Sequence, residues 1–191
     1  IIRGTMRVIS GTARGTKLNS IQDLSTRPTL DRVKESLFNI LQPNIQEDSV
    51  ILDLFSGSGA IAIEFLSRGA KKAYFCEKNQ LAVKMIYSNL EKTKLIEKAV
   101  IIKKDYKNAL EMLQQEKVKL DFGYIDPPYE ANIAVDAVKR ILSLNLLNEK
   151  GNLIIETDDE KRELLELKEL NVDVYDIRKY GRVSLIFLRK K

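Results

Sequence analysis

The sequence has no histidine, a single cysteine and no apolar run longer than a β-strand. Each shortage excludes something. Without imidazole, Ser-His and Cys-His catalysis and histidine-based metal sites are ruled out, so any chemistry must run on other groups. Cys76 cannot form an internal disulfide, which agrees with a reducing compartment, and it reads as a small buried strand residue rather than a catalytic thiol. The apolar stretches fall far short of the roughly 20 residues of a membrane helix, and no signal-peptide pattern opens the chain, so a cytoplasmic location is the expectation. What is present, 191 residues with 44% apolar content, suffices for one substantial core in one domain. No internal repeat or low-complexity linker interrupts it.

The formal net charge is +5, unevenly spread. Arg3, Arg7, Arg14, Lys17, Arg27, Arg32 and Lys34 face only Asp23 and Asp31 in the first 34 residues, and Arg178, Lys179, Arg182, Arg189, Lys190 and Lys191 crowd the end. Such ends fit a polyanionic partner. Met6 looks like a natural start, with residues 1–5 a remnant or an upstream extension. Residues 6–26 read as a basic arm or short strand segment, with Arg7, Arg14, Lys17 and Arg27 placed to meet RNA phosphates. Residues 27–191 read as a single domain.

Leu30, Val33, Leu37, Ile40 and Leu41 have helical spacing, with Thr29 or a neighbour as cap and Pro43 as stop. From Val50 the pattern alternates. Apolar runs at 50–54, 73–76, 100–102, 120–125 and 153–155 predict strands, and helical segments are predicted at 60–68, 80–91, 108–116 and 133–142. This predicts an α/β fold with a mostly parallel sheet and helices on both faces. Residues 172–177 and 183–188 are too close for a crossover helix and should form an antiparallel hairpin turning at Tyr180-Gly181. The total is a seven-stranded Rossmann-like sheet whose last strand inserts antiparallel.

Asp53-Leu54-Phe55-Ser56-Gly57-Ser58-Gly59 sits where the first strand meets the first helix of this alternation. Gly57 and Gly59 allow a tight turn and close approach to a ligand at a helix N-terminus, and Ala62 completes a G-x-G-x-x-A pattern. Glu77, at the end of the next strand, is placed to accept hydrogen bonds from ribose hydroxyls, with Lys78 and the helix cap Asn79 after it. Asp105 and Asp126 follow the third and fourth strands, so acids recur at the carboxyl edge where open α/β sheets bind ligands. A nicotinamide-dependent dehydrogenase would share the glycine pattern. Asp53 opposes that reading, because a carboxylate before the glycines repels a pyrophosphate but suits a cationic cofactor without phosphates such as S-adenosylmethionine.

The stretch Asp126-Pro127-Pro128-Tyr129 closes the fourth strand. Two prolines stiffen the backbone and remove two donors. The Asp carboxylate and a Pro carbonyl, side by side, can accept both hydrogens of an exocyclic amino group while the Tyr ring lies on the attached base. A plain strand-to-helix turn would also use Asp and Pro.

With these residues in view, the chain resembles the class I S-adenosylmethionine-dependent methyltransferases, and within them the bacterial family that methylates N2 of a guanine in small-subunit (16S) ribosomal RNA. The resemblance runs from Met6 onward through Arg7-Val8-Ile9-Ser10-Gly11, Arg27-Pro28-Thr29 with Asp31 to Glu35, the Asp53 to Gly59 loop, Asp126 to Tyr129, and Lys179-Tyr180-Gly181. It implies that Asp53 and the backbone at Gly57 and Gly59 hold the methionine end of the cofactor, with Phe55 and Ser56 also at the cofactor and the helix around Arg32 closing over the methionine end. It further implies that Glu77 takes the ribose hydroxyls and Asp105 the adenine amino group, with Lys78 also at the cofactor, while Asp126, Pro127, Pro128 and Tyr129 form the catalytic segment. Tyr180 and Arg182 join the arm as candidate RNA contacts. No metal is expected, the partner is small-subunit ribosomal RNA or the assembled small subunit, and a monomer is expected. Two other functions compete: a DNA adenine-N6 or other nucleic-acid amino methyltransferase, and a noncatalytic RNA-binding protein on the same scaffold.

Overall fold

The computed structural model describes residues 6–20, 29–128 and 133–191, so the expectations for Arg27 and Tyr129 lie outside the described residues. Seven strands form one sheet in the order β3-β2-β1-β4-β5-β7-β6. They are β1 (Val50–Asp53), β2 (Lys72–Cys76), β3 (Ala99–Ile102), β4 (Leu120–Ile125), β5 (Leu147–Thr157), β6 (Val172–Tyr180) and β7 (Val183–Lys190). The first five are parallel, and β7 lies antiparallel between β5 and β6.

Alternation along each strand feeds two cores, because successive side chains leave opposite faces of a sheet. Ile51, Phe75, Phe122, Ile154 and Phe187 enter one core. It is covered by α1 (Thr29–Leu41), α2 (Ala60–Ser67) and α3 (Gln80–Thr93). Leu52, Tyr74, Ile125, Ile155 and Ile186 enter the other, beneath α4 (Tyr106–Gln115) and α5 (Ala134–Ser143). In the first core Phe65 stands between Phe38 and Phe122, with ring centroids 4.7 and 5.1 Å away. Among the described residues no helix is long and apolar enough to cross a membrane.

Of the two readings of the segment after Met6, the structure shows the short strand segment, packed as a hairpin: Val8 N–H donates to Thr16 O at 3.0 Å, Leu18 N–H donates to Met6 O at 2.9 Å, and Val8, Ala13 and Leu18 are buried. Three details depart from the sequence reading. The C-terminal hairpin turns at Gly181-Arg182, one residue later than expected, because β6 runs through Tyr180 to pair with Val183. Strand β5 begins at Leu147, well before the apolar run at 153–155 that marks it in the sequence. An unpredicted helix, α6 (Glu160–Leu167), follows β5; its many charges and few leucines hid the period, and Asp159 caps it by accepting from Arg162 N–H at 3.2 Å.

The hairpin is held by a carboxylate with no exposure to solvent. Glu64 on α2 accepts from Ile9 N–H (2.8 Å), Ser10 N–H (3.0 Å) and Arg68 Nε (2.8 Å), and pairs with Lys34 Nζ of α1 at 3.2 Å. One turn on, Ser67 O accepts from Thr12 N–H at 2.8 Å, and Ser67 Oγ donates to Ser10 O at 2.6 Å. The chain crosses this point on Gly11, with φ +82°; a Cβ there would lie 1.8 Å from Ser67 O. Only glycine allows that approach.

Removing one member of a buried ion pair leaves the others charged and unpaired, at a typical cost of about 3–5 kcal/mol. Glu64→Ala should lower the urea-unfolding free energy by about that amount, and Gly11→Ala should raise amide exchange at Ile9 and Ser10 while α4 and α5 stay protected. Unchanged exchange in Gly11→Ala would contradict the crossing geometry.

Candidate active site

At the carboxyl edge of β1, β2 and β4 the structure opens two adjoining cavities that share Phe55, Gly57 and Asp126. The larger, about 510 Å³, reaches over Glu77, Asp105, Pro127 and Pro128, and the smaller, about 210 Å³, over Asp53, Ser56, Tyr124 and Glu156. Together they form one crevice with a larger, nucleoside-sized arm and a smaller acidic arm, and Asp126 stands where they meet.

The β1–α2 loop is set by its own hydrogen bonds. Ser56 Oγ donates to Asp53 O at 2.8 Å, Ser56 N–H to Cys76 O at 3.0 Å, and Gly59 N–H to Ser56 O at 2.7 Å. Gly57 and Gly59 both have positive φ, +52° and +78°, and a Cβ on Gly59 would meet the Phe75 ring at 3.0 Å. Gly59 therefore stands behind the crevice and lets the loop lie on β2. Glu77 is fixed from both sides, accepting from Gly57 N–H at 3.0 Å and from Asn79 N–H at 2.8 Å. Each carboxylate oxygen keeps lone-pair capacity for a further donor.

In the larger arm Phe55 and Tyr106 pack with centroids 5.6 Å apart, forming an apolar wall. The Tyr106 hydroxyl donates to Asp136 at 2.7 Å, and burial together with that acid pushes its pKa up to about 12. Asp105 caps α4: one carboxylate oxygen accepts from Lys107 and Asn108 N–H at 3.0 and 3.1 Å, and the Asn108 side-chain amide donates to the other. The Asn108 amide, foremost, holds its carboxyl below the usual range. Cys76 also lines this arm; burial, then the charges of Glu77, Asp53 and Asp105, push its thiol up to about 12, so it stays protonated and is no nucleophile.

The acidic arm is where desolvation dominates. Asp53 is buried, and burial first, Glu77 second among the raising causes, lifts its pKa to about 7 despite hydrogen bonds from the backbone at Ala62 and Phe55. Asp126 titrates well above the ordinary carboxylate range, through burial, then Glu156, then Asp53. Glu156 is raised too, chiefly by burial. Asp53 pairs in register with Tyr124, so their side chains share a face. Low dielectric and clustered negative charge make this arm a receptor for cations or protons.

Most of the residues singled out from sequence meet here: Asp53, Phe55, Ser56, Gly57, Glu77, Lys78, Asp105, Asp126, Pro127 and Pro128 all line the crevice. Arg32 does not. It is exposed in a separate cleft with Glu35, Ser36 and Tyr180, and the α1 residues that reach the acidic arm are Val33 and Lys34. Helical rotation accounts for the difference, since neighbours on a helix point about 100° apart. Arg7 and Arg14 line a cleft that meets Arg32's at Glu35, while Lys17 and Arg182 are exposed. Tyr180 shares a hydrogen with Ser36 Oγ, tying the C-terminal hairpin to α1. Sequence reasoning missed Tyr124, Glu156 and Lys34. Glu156 carried the same signal as Asp53 and Asp126, an acid ending an apolar strand.

Residues 6–189 match the family described as Conserved hypothetical protein 95. The chain belongs to this family. It is 34% identical over 188 residues to the Bacillus subtilis protein YlbH, covering 97% of this chain and all of that protein. It is 36% identical over 162 residues to the Haemophilus influenzae protein named ribosomal RNA small subunit methyltransferase D, covering 83% of this chain and 82% of that protein. The solved structure of the Escherichia coli protein YhhF superposes with a TM-score of 0.81 at 28% identity, covering 98% of this chain and 99% of that one. The Conserved hypothetical protein 95 family belongs to the class I S-adenosylmethionine-dependent methyltransferases, and the sheet order found here is the fold of that class.

The raised pKa of Asp53 has a signed consequence. Between its unfolded value of 3.8 and about 7 the folded chain holds a proton that the unfolded chain releases, so this group's contribution to stability is lost as pH rises through that window. Asp53→Asn should therefore gain stability over the wild type by at most about 1.4 kcal/mol per pH unit between pH 4 and 7, with no further gain above. Parallel denaturation curves for the two proteins would contradict the burial of a titrating Asp53.

Proposed function

We propose that the chain transfers a methyl group from S-adenosylmethionine to the N2 amino group of a guanine in small-subunit ribosomal RNA, working in the cytoplasm as a single-domain monomer without a metal. The observation that carries this reading is the position of Asp126 where the two arms meet, with Pro127 next to it in the larger arm.

The residues fit the cofactor. Glu77 offers two oriented oxygens to a ribose diol, the Phe55–Tyr106 wall suits a flat base, and Asp53 and its neighbours suit an ammonium and a sulfonium. Asp105 keeps one acceptor position beyond its capping bonds, enough for an adenine amino hydrogen. When bound, S-adenosylmethionine supplies an electrophilic methyl carbon.

The chain's own residues do the rest. An exocyclic amine has its lone pair delocalised into the ring and attacks poorly. The Asp126 carboxylate and the Pro127 carbonyl, each accepting one of its hydrogens, favour a more tetrahedral nitrogen and aim its lone pair. Fixing that orientation supplies much of the rate, with no imidazole or metal called for. The proton shed after transfer passes to Asp126, whose pKa lies well above the ordinary carboxylate range, or to water. A base reaches Asp126 only outside its stack, at a cost of a few kcal/mol. Arg7, Arg14 and Arg32, in clefts on either side of Glu35, give the RNA backbone a cationic footing around α1.

Methyl transfer from labelled S-adenosylmethionine to small ribosomal subunits and to duplex DNA, with mass identification of the modified nucleoside, tests the reading. N2-methylguanosine, abolished by Asp126→Ala, is the expected result. N6-methyladenine in the DNA, or cofactor binding with no transfer to either, would overturn it. Arg14→Glu should weaken RNA binding at low salt and make the slope of log affinity against log salt shallower by about 1 for each phosphate that Arg14 neutralises, with cofactor affinity unchanged. A slope equal to the wild type's would remove Arg14 from the interface.

A further inference from the structure

Glu156 ends β5 beside the reactive end of β4. The pairing Tyr124↔Ile154 and Ile125↔Ile155 brings the next residues, Asp126 and Glu156, to the same end of the two strands, and both line the acidic arm with Tyr124. Glu156 is only 6% exposed, yet it lines the acidic arm together with Asp126. The Tyr124 hydroxyl donates to one of its carboxylate oxygens, which fixes the group's direction, and a carboxylate has acceptor capacity well beyond one such bond. Asp53 lies on the β1 side of Asp126 and Glu156 on the β5 side, so the two acids flank Asp126 from opposite directions.

That placement matters because of what surrounds an amino group on each base. The amino groups of adenine and cytosine are flanked on the Watson–Crick edge by a ring nitrogen that accepts. The 2-amino group of guanine is flanked by N1–H, a donor. If Asp126 and the Pro127 carbonyl take the amino hydrogens, a second buried acceptor alongside Asp126 has guanine N1–H as its natural partner. It would face a lone pair, and repel it, in adenine or cytosine. Resting on the guanine-N2 reading above, we propose that Glu156, aimed by Tyr124, accepts the N1–H of the target base and so selects guanine over other amino-bearing bases. It thereby reads the base, while Asp126 and Pro127 act on its amino group.

The test compares two RNAs, one with guanosine and one with 2-aminopurine riboside at the position the wild-type protein methylates. 2-Aminopurine keeps the 2-amino group and replaces N1–H by an accepting nitrogen. Transfer rates are measured at subsaturating RNA with saturating S-adenosylmethionine, and cofactor affinity by calorimetry. The wild type should prefer guanosine by about tenfold to a hundredfold, the discrimination a good base-edge contact gives. Glu156→Leu should bring that preference, a ratio of rates at saturating S-adenosylmethionine, to within about twofold. Tyr124→Phe, which keeps the carboxylate but removes the hydroxyl that aims it, should lower the preference part-way and carries the test should Glu156→Leu not fold. A preference unchanged in the variants overturns the inference and leaves guanine methylation standing. Lost cofactor affinity in Glu156→Leu together with an unchanged preference overturns it as well, assigning Glu156 to the cofactor's amino group. No N2 transfer to guanosine RNA by the wild type removes the guanine reading itself, and this inference with it.

Discussion

The buried carboxylate of Glu64 is the interaction on which the shape of the crevice depends. It draws the backbone of Ile9 and Ser10 and the side chains of Lys34 and Arg68 onto one point. Three segments with no sheet pairing between them, the N-terminal hairpin, α1 and α2, are thereby locked together. Met6, Val33 and Lys34, the wall of the acidic arm opposite the sheet, stand where they do as a result. A shift of Glu64 would open that arm to water, and water would weaken the electrostatics the arm relies on.

Those electrostatics oppose stability. Asp53, Asp126 and Glu156 all have raised pKa values from burial, which means the fold tolerates charges it would hold more easily in solvent. The sheet has the same geometry elsewhere at its carboxyl edge, and Glu77 and Asp105 show the cheaper solution: backbone donors at helix starts satisfy them. Destabilised groups kept together beside a cavity are the mark of a site shaped for a ligand.

How much could be read beforehand follows from which signals are local. The alternating runs and the glycine loop gave the seven strands and the position of the crevice, since strand period and turn chemistry are written in adjacent residues. The acids Asp53, Glu77, Asp105 and Asp126 were visible for the same reason. Arg32 stands outside the crevice because helical phase turns its neighbours Val33 and Lys34 inward instead. Tyr124 was invisible as a partner because its bond to Glu156 joins residues far apart in sequence and adjacent only through β4–β5 pairing. Nothing next to Gly11 in the sequence announces its constraint, the approach of Ser67, 56 positions away.

The insertion of β7 between β5 and β6 has a temporal side. β5 offers its outer edge to β7 and to no earlier strand, so during synthesis that edge stays bare until residues 183–190 have emerged. An unpaired edge of this kind is a template for pairing with the wrong chain. The same late hairpin bears Tyr180, whose hydroxyl meets Ser36 on α1. Translation order therefore delivers the wall first and its far anchor last, and a ribosome-bound nascent chain carries an unfinished crevice until the closing strand slides into place.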